Sequence, residues 1–545
     1  MVGLQTGISL AAVAAAFYYS PPWYSNFFLN SARKDIERFS CHPFLPKLFV
    51  ETPPAADHSA IQGASNNLNK FLSSRFSEGD IDSLSVAVVT SQGSVFEHNY
   101  GVIRGNKSTT SLHTTSEASY RIASISKLFA VLEGHILAQW GLLSWDDPIE
   151  KFFPDFKYRL DGFDPSVPPE SRRDTPITLF QLASHMSGLG RDWPSGIARN
   201  WPHEVYGGGP PPANGLPFPD HKSFFKAMAE HHLVSQPWVY PSYSNTGTGL
   251  LGLALVAANR LGSEDPSKEP ETYAELVQRD IFDHMGLNGS HFLTTAANKH
   301  QAVVPSLAPE LADYDFLDAM NPAGGQFASL TDLITPVHVF EEDDWTQIGV
   351  MWEILKAQDS NSRLRRIYWK LGALAGYNSV VAIHPGASYG VAVLMAGQYQ
   401  DASKLAYTAF EIFQPAMDNV LAEQARALYA GTWTSQDGKS KASIVVDKGT
   451  LYIENLLLDD TDILLMFHAS ERLALRSSGR RDELRLDTGI PGYNGLKHMG
   501  CYPYWNGQDL WGVRNNAPIN VIYFRGPSAN RTLHVPAADI IMTRV

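Results

Sequence analysis

A serine stands three residues before a lysine in the stretch YRIASISKLFAVLEGH, which begins at Tyr120. The residues after Lys127 are mostly apolar, as in a buried helix, and this spacing places the Ser124 hydroxyl and the Lys127 amine on one helix face. Burial disfavours the ammonium form, so a neutral amine could accept the serine proton. The pair is therefore a candidate nucleophile and base, and the Ser124 N–H at the helix start is a candidate oxyanion donor.

The Ser-x-x-Lys pattern alone decides nothing, because it also occurs at Ser31–Lys34 and Ser223–Lys226. A second element, YPSYSNTGTGLLG, places Tyr243 and Asn245 at a turn before a helical run. We expect Tyr243, with a lowered pKa, to exchange a proton with the serine or the leaving group. The Asn245 amide can hold a substrate carbonyl.

A third element, YWKLGALAGYNSVVAIHPGASYGVAVLMAG, has the pattern of two strands joined by a turn. Lys370 and Gly372 open the first strand, which we expect to be an edge strand that lines a cleft. There the Ala373 N–H would be a second oxyanion donor beside that of Ser124. The charge of Lys370 would further lower the pKa of the amine or of the phenol.

These three elements, in this order and with these wide spacings, resemble the penicillin-recognising serine enzymes. The Tyr-x-Asn form of the second element is most similar to the branch of class C β-lactamases, D-Ala-D-Ala carboxypeptidases and esterases. The connecting stretches GLLSWDDPIEKFFPDF, ITLFQLASHMSGLG and AGGQFASLTDL also resemble that family, over about residues 60–420. The leader, the N-terminal arm and the tail look like a fungal-type β-lactamase-like subgroup with an added C-terminal β domain.

The resemblance implies a serine hydrolase that cleaves ester, amide or lactam bonds through an acyl-enzyme intermediate. Ser124 would be the acylated nucleophile, and Lys127 and Tyr243 would move protons. The partner would be a small-molecule acyl substrate, with no cofactor and no metal. An acyltransferase that uses the same acyl-serine, for instance in secondary metabolism, is an alternative. A non-catalytic scaffold of the same fold is a second one, although three intact motifs argue against it.

The resemblance also assigns the groups around the nucleophile. Asn245 would contact substrate, Lys370 and Gly372 would border the oxyanion strand, and Ala373 would complete the oxyanion hole. One position departs from the family, since Leu371 stands where lactamases usually have a hydroxyl residue that helps to hold the substrate carboxylate. This departure favours esters or other neutral acyl groups.

The elements that must position these residues indicate an α+β fold. A helix at 60–76, a hairpin at 83–101, mainly helical residues from 120 to 300 and strands at 367–383 and 390–395 predict a catalytic domain over 60–420. This β-lactamase/transpeptidase-like domain would have an antiparallel sheet, flanking helices and a helical subdomain. The stretches SIVVDKGTLYIENLLL, DILLMFHA, INVIYFRG and ADIIMTRV predict a second, all-β domain over 421–545, a barrel or a sandwich.

Charge and the N-terminus bear on partners and location. With 43 basic and 56 acidic residues the net charge is −13, which argues against nucleic acid and anionic membranes as main partners. The apolar stretch within residues 1–20 predicts a signal peptide or a membrane anchor, followed by an arm over 21–59. We therefore expect a secreted or membrane-anchored protein. Sequons at Asn106, Asn288 and Asn530 are compatible with N-glycosylation.

The two cysteines, Cys41 and Cys501, lie near opposite ends of the chain. They are either unrelated buried thiols or a bridge between the N-terminal arm and the β domain, which would need an oxidising compartment.

Other motifs have plainer explanations. GASYG at 386–390 fits a nucleophile elbow but precedes a strand, so we interpret it as a hairpin turn. GTGLLG at 247–252 follows no buried strand, so we interpret its glycines as sites of close helix packing. His185 is interpreted as a structural, hydrogen-bonded residue.

Overall fold

The structure of the protein is a computed structural model, which describes residues 42–159, 176–196, 210–239, 242–333, 351–467, 469, 472–488, 501, 513–515 and 517–545. The chain divides into two compact units. One is Phe49–Asp418, and the other is Asn419–Val545 together with the N-terminal segment that ends at Leu48, of which the residues from 42 onward are described.

The α-helices of the described part of the chain are α1 (Ser59–Phe76), α2 (Ser126–Gln139), α3 (Leu179–Ala183), α4 (His221–Glu230), α5 (Asn245–Gly262), α6 (Tyr273–Val277), α7 (Asp283–Met285), α8 (Leu317–Met320), α9 (Leu330–Leu333), α10 (Ala402–Tyr429) and α11 (Ile463–Met466). The helix predicted at 60–76 is confirmed as α1, whose first turn is capped by the His58 side chain, which accepts from the Ala60 N–H.

The strands of the first unit are β1 (Ile81–Thr90), β2 (Gly93–Gly101), β3 (Ser119–Arg121), β4 (Phe327–Ser329), β5 (Glu353–Gln358), β6 (Leu364–Leu374), β7 (Tyr377–His384) and β8 (Tyr389–Gly397). The main sheet has the order β2-β1-β8-β7-β6-β5, and each neighbouring pair is antiparallel. The predicted hairpin at 83–101 and the predicted strands at 367–383 and 390–395 are confirmed by this sheet.

Two apolar clusters lie among the described residues of the first unit. One lies among the helices and includes Leu137 of α2, Leu182 of α3, Phe224 of α4 and Leu250 of α5. The other packs β3 and the residues that follow it against the sheet, through side chains such as Tyr120. The α+β class is therefore confirmed, with an antiparallel sheet, flanking helices and a helical core.

The strands of the second unit are β9 (Gly431–Thr434), β10 (Lys441–Asp447), β11 (Thr450–Leu458), β12 (Thr461–Asp462), β13 (Leu473–Ser477), β14 (Glu483–Leu486), β15 (Val513–Arg514), β16 (Ala517–Pro518), β17 (Val521–Arg525), β18 (Thr532–Val535) and β19 (Ile540–Arg544). The ladder β10-β9-β19-β18-β17-β14-β13-β11 closes on itself because β10 also pairs with β11. The second unit is therefore a closed antiparallel barrel, and the choice between barrel and sandwich is settled.

Two predictions about elements were wrong. The sequence predicts a strand at 462–469, but Ile463–Met466 form the short helix α11, since the Asp462 side chain accepts from the Leu465 N–H and starts a helical turn. The strand that carries Lys370 is not an edge strand along its whole length, because β5 pairs with its residues from Leu364 to Trp369.

Among the described residues, no helix combines the length and the apolar character that a membrane crossing requires. The predicted leader at 1–20 and Cys41 lie outside the described residues.

Candidate active site

The nucleophile turn joins strand β3 to helix α2. Ala123 has a φ of 45°, in the left-handed region that non-glycine residues seldom adopt. The hydroxyl of Ser126 donates to the Ala123 carbonyl at 2.6 Å, which helps to hold this conformation. Ser124 follows in a single 3-10 turn, Ala123–Ile125, directly before α2. Backbone strain of this kind is common where a side chain must be aimed at a ligand.

The three residues predicted to do chemistry meet at the Ser124 hydroxyl. Lys127 Nζ lies 3.0 Å from Ser124 Oγ, and the Tyr243 hydroxyl donates to the same Oγ at 2.7 Å. Lys127 comes from the first turn of α2, and Tyr243 from the residues just before α5. The side chains of Ser124 and Tyr243 are half-buried, whereas Lys127 has no solvent exposure.

Burial, rather than the number of hydrogen-bond partners, favours the neutral form of the Lys127 amine. Its Nζ donates to Asn245 Oδ1 at 2.6 Å and to the Ala323 carbonyl at 2.5 Å. A neutral amine has two N–H donors and one lone pair, so these two bonds leave the lone pair for the proton on Ser124 Oγ. Burial lowers the pKa of Lys127 well below its ordinary value, and the charge of Lys370 lowers it further.

The expected lowering of the Tyr243 pKa is wrong. Burial raises the pKa of this phenol, and the hydrogen bond to Ser124 offsets only part of that effect. Two cations nevertheless lie near its ring, with Lys370 Nζ at 5.2 Å and the Arg191 guanidinium at 4.8 Å from the ring centroid, and the Lys127 nitrogen lies 5.0 Å from it. Tyr243 is thus a protonated hydroxyl that donates to Ser124 in the resting site.

Asn245 positions the lysine. While Oδ1 accepts from Lys127, the amide nitrogen donates to Asp192 Oδ1 at 2.6 Å. Asp192 is itself bridged to Arg191 at 3.3 Å. One N–H of the Asn245 amide is therefore used by Asp192, and the other can meet the predicted substrate carbonyl. Asp192 and Arg191 were missed because no motif marks them; they simply follow the stretch SHMSGLG.

Strand β6 reaches the nucleophile turn at Gly372. A Cβ on Gly372 would lie 2.1 Å from the Ile122 carbonyl oxygen, so only glycine allows this approach. Strands β6 and β7 form a hairpin in which Leu374 lies opposite Tyr377, and successive N–H groups along β6 point alternately toward and away from β7. The Ala373 N–H therefore points away from β7, on the side of β6 where β5 pairs only as far as Trp369. This geometry is compatible with the predicted oxyanion role of Ala373.

Lys370 has a partner that sequence reasoning missed. Its Nζ donates to Glu353 Oε1 at 2.7 Å and to the Leu371 carbonyl at 3.0 Å. The Leu371 N–H donates to Glu353 Oε2 at 3.2 Å. Burial lowers the pKa of Lys370, and Glu353 opposes that effect. No motif marks Glu353, which begins β5, the strand that precedes and pairs with β6.

His185 is structural, as predicted. Its Nδ1 accepts from the Ser244 N–H at 3.2 Å, and its ring packs against Tyr243 with the centroids 4.6 Å apart. Burial lowers the pKa of His185 to about 3, so the ring is neutral. Its role is to hold the segment that carries Tyr243.

The competing motifs lie elsewhere. Lys226 of the Ser223–Lys226 pair is mostly exposed and faces Glu230, whereas the pair at Ser31–Lys34 lies outside the described residues. GASYG at 386–390 forms the turn between β7 and β8, which confirms the hairpin interpretation. The glycines of GTGLLG lie inside α5, where Gly249 approaches the Ala319 carbonyl and Gly252 approaches Pro322, as expected of close packing.

The remaining predicted sites are outside this cluster. Cys501 is disulfide-bonded, but Cys41 is not among the described residues, so the pairing stays a prediction. Asn106, Asn288 and Asn530 are exposed, and their glycosylation stays a prediction. Within the described residues, no group of three or more His, Cys, Asp or Glu side chains could hold a metal ion.

Comparison with known proteins bears on the same segment. The family model described as Beta-lactamase matches residues 68–413. The β-lactamase-like protein str6 of Strobilurus tenacellus is 34% identical over 312 residues, which is 50% of this chain and 99% of that protein. The probable hydrolase M10 of a Phoma species is 23% identical over 472 residues, covering 78% of this chain and 74% of that protein.

Among solved structures, a β-lactamase/D-alanine carboxypeptidase from Yersinia pestis aligns at a TM-score of 0.49 and 18% identity, over 67% of this chain and 100% of that one. A class C β-lactamase aligns at a TM-score of 0.47 and 17% identity, over 65% of this chain and 98% of that one. The family match covers more than half of the chain and contains Ser124, Lys127, Tyr243 and Lys370. The chain therefore belongs to the β-lactamase family, a family of serine hydrolases.

Proposed function

We propose that this protein hydrolyses small acyl esters through an acyl-enzyme intermediate on Ser124. The observation that carries the proposal is the hydrogen bonding of Lys127, whose two N–H donors go to Asn245 and Ala323 while its nitrogen lies 3.0 Å from Ser124 Oγ. An amine held in this way is a base aimed at one proton.

The steps follow from these contacts. Ser124 Oγ attacks the acyl carbonyl carbon and passes its proton to Lys127 Nζ, while the N–H groups of Ser124 and Ala373 stabilise the oxyanion. The C–O bond to the leaving alcohol then breaks. The alcohol takes a proton from the Tyr243 hydroxyl, which recovers one from Lys127. Water then attacks the acyl carbon of the Ser124 ester and gives a proton to the same relay. The bond from the acyl carbon to Ser124 Oγ breaks, the relay returns the proton to Oγ, and the acid is released.

The substrate class follows from the third motif. Leu371 has no hydroxyl with which to hold a substrate carboxylate, and this favours neutral esters over lactams or D-Ala peptides. The names of the relatives support a hydrolase, since one is called β-lactamase-like and another a probable hydrolase. An alcohol or amine that replaced water would make the same acyl-serine an acyltransferase.

A covalent label tests the proposal. A fluorophosphonate probe should label the wild-type protein at a single serine, and p-nitrophenyl acetate should be turned over with release of p-nitrophenol. Ser124→Ala should abolish both. Product analysis by mass spectrometry, with and without added alcohol, separates hydrolysis from acyl transfer.

Ser223→Ala provides a matched control, because Ser223 belongs to a second Ser-x-x-Lys pair whose lysine is exposed. This variant should label and turn over like the wild type. Labelling that persists in Ser124→Ala would refute the assignment of the nucleophile. A wild-type protein inert to every activated ester would favour a scaffold without catalysis.

A further inference from the structure

Glu353 places a carboxylate of the chain itself against Lys370, beside the site. It is the first residue of β5 and lies opposite Trp369 of β6. Its side chain reaches the next two residues of β6, with Oε1 2.7 Å from Lys370 Nζ and Oε2 accepting from the Leu371 N–H at 3.2 Å. One carboxylate therefore accepts hydrogen bonds from both the buried Lys370 ammonium group and the Leu371 backbone N–H.

An ammonium group and a backbone N–H on the same strand are what a ligand carboxylate would bind. These two donors are near the nucleophile, because Lys370 Nζ lies 5.2 Å from the ring of Tyr243, whose hydroxyl contacts Ser124. The Lys370 side chain is 1% exposed and that of Glu353 is 37% exposed. Of the two side chains, Glu353 is therefore the one that solvent and ligands can reach.

The charges of the site agree with this arrangement. When Lys127 is neutral, the cations Lys370 and Arg191 are balanced by Glu353 and Asp192. Burial lowers the pKa of Lys127 and raises that of Tyr243, and the negative charge of Glu353 opposes the first effect and adds to the second. A substrate carboxylate near these groups would be repelled by Glu353 and would find Lys370 already paired.

We propose that Glu353 is a specificity-determining residue, an internal carboxylate that fills the anion position of the site. The site then selects acyl donors that have no carboxylate close to the scissile bond. This inference rests on the proposed ester hydrolysis and names its substrate class more narrowly: uncharged acyl chains.

Two esters of equal chain length test the inference. p-Nitrophenyl valerate ends in a methyl group, and mono-p-nitrophenyl glutarate ends in a carboxylate. The wild type should prefer the valerate. Glu353→Gln keeps the shape but removes the charge, and Glu353→Ala also frees the donors, so both should raise the glutarate-to-valerate ratio of kcat/KM by roughly tenfold to a hundredfold.

Glu269→Gln is the matched control, because Glu269 forms a 2.6 Å bridge with Arg279 away from the site. It should leave the ratio at the wild-type value. Turnover of both esters with the same ratio in Glu353→Gln, Glu353→Ala and wild type would overturn the inference while the proposed function stands. No turnover and no fluorophosphonate labelling in the wild type would refute the proposed function itself.

A measurement on the wild-type protein removes dependence on the folding of the variants. Phenylboronic acid and 3-carboxyphenylboronic acid both form reversible adducts with an active serine, and only the second carries a carboxylate. The wild type should be inhibited more strongly by the uncharged compound. Equal or stronger inhibition by the carboxylated compound would contradict the inference.

Discussion

In water the amine of Lys127 would be an ammonium ion, because lysine side chains hold their proton at neutral pH. In the site, burial and the charge of Lys370 lower its pKa, and the two acceptors Asn245 and Ala323 use the N–H donors of the neutral form. Tyr243 completes the arrangement from the other side of Ser124, with a phenol whose pKa burial has raised. At this scale, burial and neighbouring charges change the pKa values of side chains that would be ordinary in water.

The pH profile of ester hydrolysis should report the protonation state of Lys127. Because the reaction needs neutral Lys127, activity should rise as pH rises through the lowered pKa of Lys127. Lys370→Met removes a positive neighbour that disfavours the ammonium form, so the pKa of Lys127 rises. The acid limb of kcat/KM for p-nitrophenyl valerate should then move to higher pH, by about one unit.

Lys226→Met serves as the control for that profile, because Lys226 is exposed on α4. The acid limb of the pH profile of this variant should match that of the wild type. An acid limb that stays in place, or moves to lower pH, in Lys370→Met would argue against Lys127 as the titrating base.

Sequence reasoning found Ser124, Lys127 and Tyr243 because each stands in a short motif, and the order of the motifs restricts the fold. It missed Asp192, whose contact with Asn245 depends on how two distant segments approach each other, and Glu353, whose contact depends on the pairing of the unpredicted strand β5 with β6. The direction of the Tyr243 pKa was also wrong, because the extent of burial of a phenol cannot be read from its neighbours in sequence.

At the scale of elements, the site depends on one close approach between β6 and the turn before α2. Gly372 allows this approach, since a side chain there would meet the Ile122 carbonyl. The same approach brings Lys370 and the Ala373 N–H to the side of the strand where β5 has ended. The strand and the nucleophile turn therefore share a single geometric requirement, the absence of a Cβ at one position.

Gly372→Ala should move β6 and the nucleophile turn apart. The added methyl group would lie 2.1 Å from a backbone oxygen, so β6 or the nucleophile turn must move. A shift of about 1 Å in a catalytic group can cost a hundredfold in rate. We expect kcat/KM for p-nitrophenyl valerate to fall by about that factor, measured well below the melting temperature of the variant.

Gly63→Ala is the matched substitution, because a Cβ at this exposed position of α1 meets nothing within 4 Å. It should keep full activity and slightly stabilise the helix. Wild-type kinetics in Gly372→Ala would show that the approach of β6 does not govern the reaction.

The elements themselves were largely predictable where the pattern was long. The helix α1 and the hairpin of β1 and β2 follow from periodicity and from a Ser-Gln-Gly turn. The sequence does not predict strand β5, and it predicts a strand at the run ILLM, which the Asp462 cap makes helical. Short apolar runs have no reliable period, so capping and tertiary pairing decide them.

At the scale of the whole molecule, the chain consists of a unit that contains the candidate active site and a second unit that forms a closed barrel. The sequence predicts an all-β unit from its short, turn-punctuated strands. It could not distinguish a barrel from a sandwich, because closure depends on the pairing of β10 with both β9 and β11. All the site contacts described above lie within the Phe49–Asp418 unit.

Trp433→Ala should destabilise the barrel without changing the chemistry. Trp433 is fully buried on β9, and its ring packs against Phe524 with the centroids 5.3 Å apart. Truncation of a buried tryptophan costs about 3–5 kcal/mol, so thermal unfolding monitored by circular dichroism should show a transition lowered by roughly 10 °C. Fluorophosphonate labelling at low temperature should keep the wild-type rate.

Trp140→Ala is the comparison, since Trp140 is 54% exposed after α2 and its loss should barely change the melting temperature. Slower labelling by a folded Trp433→Ala protein would contradict the view that the first unit alone forms the site.

The approach of Gly372 to the Ile122 carbonyl has a consequence for the protein during synthesis. The ribosome makes Ser124 early, Tyr243 later, and the Lys370 strand later still. On the proposed mechanism, Ser124 therefore lacks its second oxyanion donor, the Ala373 N–H, until strand β6 has been made. A nascent or prematurely terminated chain that ends before β6 thus carries the proposed nucleophile without this donor.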